Sequence, residues 1–271
     1  MLRPLFQYTI IGSLLILSCT KKDTQNEVTV VAPEFTYGDS LFFLKEKEYV
    51  ITPKVTGPGT FTAFPDDLRI NNSNGAVTVS LKNRDGEATQ TGLRYRIVHH
   101  KDDGTKDTTH IVLGGITYQD RIFELSKNEN KVTPIYNASP GLQTPPGEYT
   151  SSNNKLVIDP NTGEINLERS IAQGLFSDDP ENSDWRVVRI DYRTNDAGST
   201  VKNSLEVVIY YYTSIDKIPS NVSGAMKEHQ NLLLGITPVT IPDTYAPVDN
   251  DIKNIVKAFK PRPPCIVIIG S

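Results

Sequence analysis

Leu156-Val157-Ile158-Asp159-Pro160-Asn161-Thr162-Gly163-Glu164-Ile165-Asn166-Leu167-Glu168-Arg169-Ser170 is the stretch on which the fold turns. A short apolar run rich in β-branched residues meets a turn at Thr162-Gly163, and a second run resumes at Ile165. Glycine there admits the positive φ that a tight turn requires. An earlier stretch, Leu68-Arg69-Ile70-Asn71-Asn72-Ser73-Asn74-Gly75-Ala76-Val77, has the same outline.

The match extends outward on both sides. Tyr49 to Pro53 ends in Thr-Pro and is followed by Gly57-Pro58-Gly59, while Lys131 to Pro134 ends in Thr-Pro and is followed by Pro140-Gly141. Downstream, Leu93, Tyr95 and Ile97 alternate, turn at Asp102-Asp103-Gly104, and return through His110 to Leu113. Val188, Ile190 and Tyr192 alternate, turn at Asn195-Asp196-Ala197-Gly198, and return through Leu205 to Tyr212. Period-two alternation of Val, Ile, Tyr and Thr between turn signals describes half-buried strands. Repeated every 8 to 12 residues or so, it describes a β-sandwich. The fold class expected is all-β: two tandem sandwiches, 28–116 and 117–213, followed by a small mixed α/β segment, 214–271.

The second copy resembles the mid-domain signature of cadherin repeats, in which a strand, an Asp/Asn-x-x-Thr-Gly turn and a Leu-Asp-Arg-Glu segment occur in that order. It is also similar to bacterial immunoglobulin-like sandwiches that share this turn. The resemblance implies adhesion or binding and directs attention to calcium. Asp159, Asn161, Glu168 and Asp196 are the candidate ligands. Against a site, Ser170 stands where the family has glutamate, the first copy ends Leu113-Gly114-Gly115-Ile116-Thr117 without the acidic junction motif, and Ca²⁺ needs six to eight oxygens. The other reading of Asp159-x-Asn161-x-Gly163 is a structural turn bearing an exposed acid, and no metal or other cofactor is expected.

The N-terminus carries an address. Arg3 precedes an apolar run from Leu5 to Leu17, which is short for a membrane span, and Ile16-Leu17-Ser18-Cys19 closes it. This resembles the lipobox of bacterial lipoproteins, which implies cleavage after residue 18 and acylation of Cys19. An ordinary secretory signal with an incidental cysteine, or a membrane anchor, is the alternative. Residues 19–27 are polar and read as a tether. Lys21, Lys22 and Asp23 resemble the signals that send some lipoproteins to the outer face of the outer membrane; the periplasmic face is the other possibility. The membrane lipid holding Cys19 is thus the first expected partner.

The remaining chemistry is sparse. A net charge of −4 and a pI near 5.6 leave no basic footprint for nucleic acid. No nucleophile elbow, zinc-protease helix or phosphate-cradling loop occurs, so no catalytic residue is assigned and the chain is read as non-enzymatic. Cys265, in an apolar run, reads as a buried thiol. A hairpin turn centred between Gly104 and Thr105 places His99 opposite His110. Among the aromatic residues, Trp185, Tyr210 and Tyr212 are the candidates for stacking against sugar rings, with core packing as the alternative. The function expected is surface binding or adhesion, with polysaccharide or another cell-surface protein as partner. The alternative is a pilin-like or envelope-assembly subunit that pairs its C-terminal strand with a neighbour.

Overall fold

The computed structural model describes residues 35–227, apart from 56, 178, 197 and 225, together with 263–270. They belong to one compact unit, Pro33–Ser271. Cys19, the signal segment 1–18, the tether 19–27 and residues 228–262 of the expected α/β segment lie outside the described residues.

The first sandwich is built from β1 (Leu41–Phe42), β2 (Tyr49–Ile51), β3 (Gly59–Phe64), β4 (Val77–Val79), β5 (Leu93–Lys101) and β6 (Lys106–Leu113). A four-stranded sheet, β1-β6-β5-β3, faces the β2-β4 pair. Phe35, Phe61, Val77, Tyr95, Ile97 and Ile111 fill the space between them. The β5–β6 hairpin closes with Lys101 N–H donating to the Thr105 carbonyl. That register sets His99 against Asp107 and His110 against Arg96, so the expected histidine pair does not form. His99 is buried and stacks on Phe61 at 4.4 Å between centroids, while His110 lies on the exposed face. Alternation explains the error, because moving the turn by one or two residues reassigns every cross-strand partner.

The second sandwich contains β7 (Ile116–Tyr118), β8 (Arg121–Glu124), β9 (Lys131–Val132), β10 (Pro134–Tyr136), β11 (Gly147–Ser151), β12 (Val157–Ile158), β13 (Ile165–Asn166), α1 (Leu167–Ala172), β14 (Asp184–Thr194), β15 (Asn203–Tyr212) and β16 (Cys265–Ile269). Its main sheet runs β11-β14-β15-β16-β8, opposed by β12-β13-β9. The Glu168-Arg169-Ser170 segment forms the short helix α1, which begins where Asn166 Oδ1 accepts the Arg169 N–H at 2.9 Å. Ser170 is buried; its hydroxyl donates to the Asn166 carbonyl and accepts the Val157 N–H. A carboxylate in that position would lose hydration without a cation to replace it.

Both copies hold their diagnostic turn in the same way. Gly75 and Gly163 adopt φ of 71° and 73°. The Tyr37 hydroxyl donates to the Gly75 carbonyl at 2.6 Å, and the Tyr118 hydroxyl donates to the Gly163 carbonyl at 2.7 Å. A Cβ on either glycine would lie 2.7 Å from a ring atom, of Phe61 in one copy and Tyr149 in the other. Glycine is therefore required twice over, by dihedral and by space.

The C-terminal strand of the segment 214–271 takes an internal place. Cys265–Ile269 lies inside the main sheet, parallel to β15 on one side and to β8 on the other. All five of its residues are buried, and Cys265 forms no disulfide among the described residues. Asp120, itself buried, anchors the strand by accepting the Cys265 N–H at 2.9 Å. Pairing this strand with a partner would require breaking both ladders. A run of five apolar residues with no alternation is what a strand covered on both faces requires. Truncating Ile268 to alanine should lower stability by about 2–5 kcal/mol, read from the shift of a denaturant midpoint at unchanged slope.

Asp67 supplies a second test. Its side chain is only 3% exposed, with Oδ1 lacking a hydrogen-bond partner and Oδ2 3.5 Å from the Tyr95 hydroxyl. Burial pushes its carboxyl up to about 6 from 3.8. The folded state thus holds this proton more tightly than the unfolded chain does. Stability contributed by Asp67 is fully present below the unfolded value and is lost as pH rises through the folded one. Asp67→Asn should remove that loss, on the order of 3 kcal/mol. Wild-type and variant melting curves should diverge between pH 4 and 6 and run parallel above; parallel curves throughout would refute the assignment.

Candidate functional site

The outer face of the main sheet in the second sandwich carries the candidate site. Along β14, Val188, Ile190 and Tyr192 point into the core, and alternation turns Trp185, Val187, Arg189, Asp191 and Arg193 outward. On β15 the outward set is Ser204, Glu206, Val208, Tyr210 and Tyr212. Trp185 stands directly opposite Tyr210, and Val187 opposite Val208.

Half of this face is already covered. Ile218, Val222 and Met226 pack over Tyr212, Cys265, Val267, Ile269 and Ile122. Tyr212 is therefore 1% exposed and cannot meet a ligand; its ring lies 6.2 Å from that of Tyr210, in a stacked pair. Of the three aromatic candidates, Trp185 is open at 55% exposure, Tyr210 is half-buried beside it, and Tyr212 backs Tyr210 from below. Val187, 46% exposed, extends the apolar strip. Arg186 does not join it: its guanidinium lies over the Phe176 ring at 5.5 Å on the other side.

Further along β14 the surface turns polar. Arg189 Nε donates to Asp191 Oδ1 at 2.8 Å, and Arg193 donates to Glu148 at 2.5 Å. Here the sheet meets the first sandwich and leaves a cleft of about 180 Å³. Lys82 and Thr89 line it from one side; Arg189, Lys202, Asn203 and Ser204 line it from the other. A second cleft, about 340 Å³, includes Glu148, Thr150, Asn161, Asp191 and again Lys202. Lys202 Nζ lies 3.7 Å from Glu148.

Tyr192 holds the two sandwiches in this arrangement. Its buried hydroxyl accepts the Ile116 N–H at 3.0 Å and shares a short hydrogen bond with Thr91. Burial, partly offset by those bonds, pushes its phenol up to about 12. Sequence reasoning assigned Tyr192 only to the core. It missed Lys82, Arg189 and Lys202 because they come from three separate segments, and nothing in the linear pattern associates them.

The calcium candidates do not converge. Asp159 Oδ1 accepts the N–H groups of Asn161 and Thr162, which hold its carboxyl below the usual range. Asp196 accepts from Tyr136, Thr194, Gly198 and Ser199. Glu168 accepts from Asn130. Among the described residues no three His, Cys, Asp or Glu side chains are grouped as a metal site would require. Asn161 contributes to the larger cleft instead. No helix among the described residues is long and apolar enough to cross a membrane.

No family model matches the chain, and no curated protein sequence does. Among solved structures, it is similar to Drosophila N-cadherin EC1-4, at 12% identity and a TM-score of 0.20, over 66% of this chain and 49% of that one. It is similar also to mouse clustered PcdhgC3 EC1-3, at 9% identity and a TM-score of 0.19, over 66% and 67%. For the insect immune protein hemolin the figures are 10%, 0.22, 68% and 48%. The chain spans about half the length of the N-cadherin and hemolin chains. The strand order and the two cores establish an all-β protein of sandwich type.

Proposed function

We propose that this chain is a lipid-anchored surface protein that binds polysaccharide on the outer face of its second sandwich and performs no catalysis. The observation that carries the reading is Trp185. A large aromatic ring left half open to solvent, on a rigid strand and beside Tyr210, costs exposed apolar area that a folded chain ordinarily buries. The apolar strip passes directly into the charged and hydroxyl-bearing surface around Arg189, Asp191, Glu206 and Ser204. A sugar ring presents an apolar face and a hydroxyl rim, and that combination suits such a border.

Cys19 provides the attachment in this reading, at the outer membrane and facing outward, with the polar segment 19–27 as spacer. Acyl chains attach a protein stably when more than one is present. A cell-surface protein as ligand is a less direct fit, because Arg189, Asp191, Arg193 and Glu148 interrupt the apolar strip within a few residues.

Two measurements test the proposal. In cells fed labelled palmitate, the wild-type chain should take up label and sediment with membranes, whereas Cys19→Ser should do neither. Trp185 is the only tryptophan, so its fluorescence reports the site directly. The full mature chain carrying Cys19→Ser should show a saturable emission change with a bound glycan from an array. Measured by calorimetry with the same glycan, Trp185→Ala should weaken that binding at least tenfold, about 1.4 kcal/mol, while leaving the melting temperature within a few degrees. Silence across microbial, plant and host polysaccharides would remove the glycan reading.

A further inference from the structure

The smaller cleft has a composition that the chain as a whole does not predict. Acids outnumber Lys and Arg by 32 to 28. Yet three cations, Lys82, Arg189 and Lys202, line a space of about 180 Å³ together with Thr89, Asn203 and Ser204, and no carboxylate lines it. Arg189 and Lys202 are partly neutralised from outside the cleft, by Asp191 and Glu148. Arg189 uses Nε for its bond to Asp191, which leaves the terminal nitrogens of its fork for a second anion. Lys82 forms no ion pair among the described residues. Lys82, with the part of the Arg189 and Lys202 charge that Asp191 and Glu148 leave uncompensated, gives the rim of this cleft a net positive charge that attracts an anion.

We infer that this cleft is an anion site that receives one carboxylate or sulfate group of an acidic polysaccharide. The inference rests on the polysaccharide reading for its source of the anion, and on the cleft alone for the charge. The volume equals roughly six waters at about 30 Å³ each, enough for one ionic group with part of its ring but not for a polymer. Trp185 and Arg189 lie four residues apart on one outward face of β14, roughly 13 Å at 3.3 Å per residue. A chain stacked on Trp185 therefore reaches the cleft with an acidic residue further along the same polymer. Neutral polysaccharides would meet Trp185 and leave the cationic cleft uncompensated.

Calorimetry with the full mature chain carrying Cys19→Ser, at 150 mM salt, provides the test. The probes are dextran, dextran sulfate and polygalacturonate, so that neutral, sulfated and carboxylated polymers are compared. At least one charged polymer should bind tenfold or more tightly than dextran. Lys82→Glu should abolish that preference, and Lys155→Glu, at an exposed site outside the cleft, should keep it. The sulfated and carboxylated arms identify which anion is preferred. Equal binding of all three polymers, or a preference indifferent to Lys82→Glu, overturns the inference while leaving the Trp185 reading intact. Binding of inorganic sulfate that Lys82→Glu removes, with no polymer bound, supports the anion site and overturns its polysaccharide source.

Discussion

A tyrosine hydroxyl bonded to the carbonyl of a left-handed glycine is the interaction on which the rest depends. It occurs once in each sandwich, Tyr37 to Gly75 and Tyr118 to Gly163. In both, the space a Cβ would occupy is taken by an aromatic ring. The bond satisfies a carbonyl that the turn would otherwise bury unpaired. It also ties the first strand region of each copy to the turn that precedes its fully buried Val77 or Ile165. With that point set, alternation decides which residues of the following strands enter the core.

The second constraint is the use of the C-terminal strand. Inserting Cys265–Ile269 between β15 and β8 widens the main sheet and gives it a second covered face, where Met226, Ile218 and Val222 pack. Among the described residues that cover stops short of β14; Trp185 and Val187 stay open while Tyr212 does not. The candidate site is thus the uncovered remainder of a sheet face. Its polar end is set by a different event, the docking of the two sandwiches through Tyr192 and Thr91.

Much of this was legible in the residues. The repeat, the glycine turns, the long strand pairs and the buried character of Cys265 follow from period, turn chemistry and the absence of polar residues between 265 and 269. The register of the first hairpin was not, since a turn of several residues can be placed in more than one frame and each frame changes the partners of His99. Ser170 read as a lost ligand; its two hydrogen bonds make it part of the packing around α1. Asp196 read as a calcium candidate, and four donors within its own neighbourhood account for it.

By itself, the sequence determined the class of structure, the number of copies and which segments turn, because these depend on neighbours a few residues apart and on steric rules that need no partner. The tertiary structure alone decided which aromatic ring is exposed, which strand fills the sheet beside β15, and that Lys82 joins Arg189 and Lys202 in one cleft. Those outcomes depend on segments separated by 50 residues or more, as Lys82 and Cys265 are from their partners, and they form only when burial of the two cores brings such segments together.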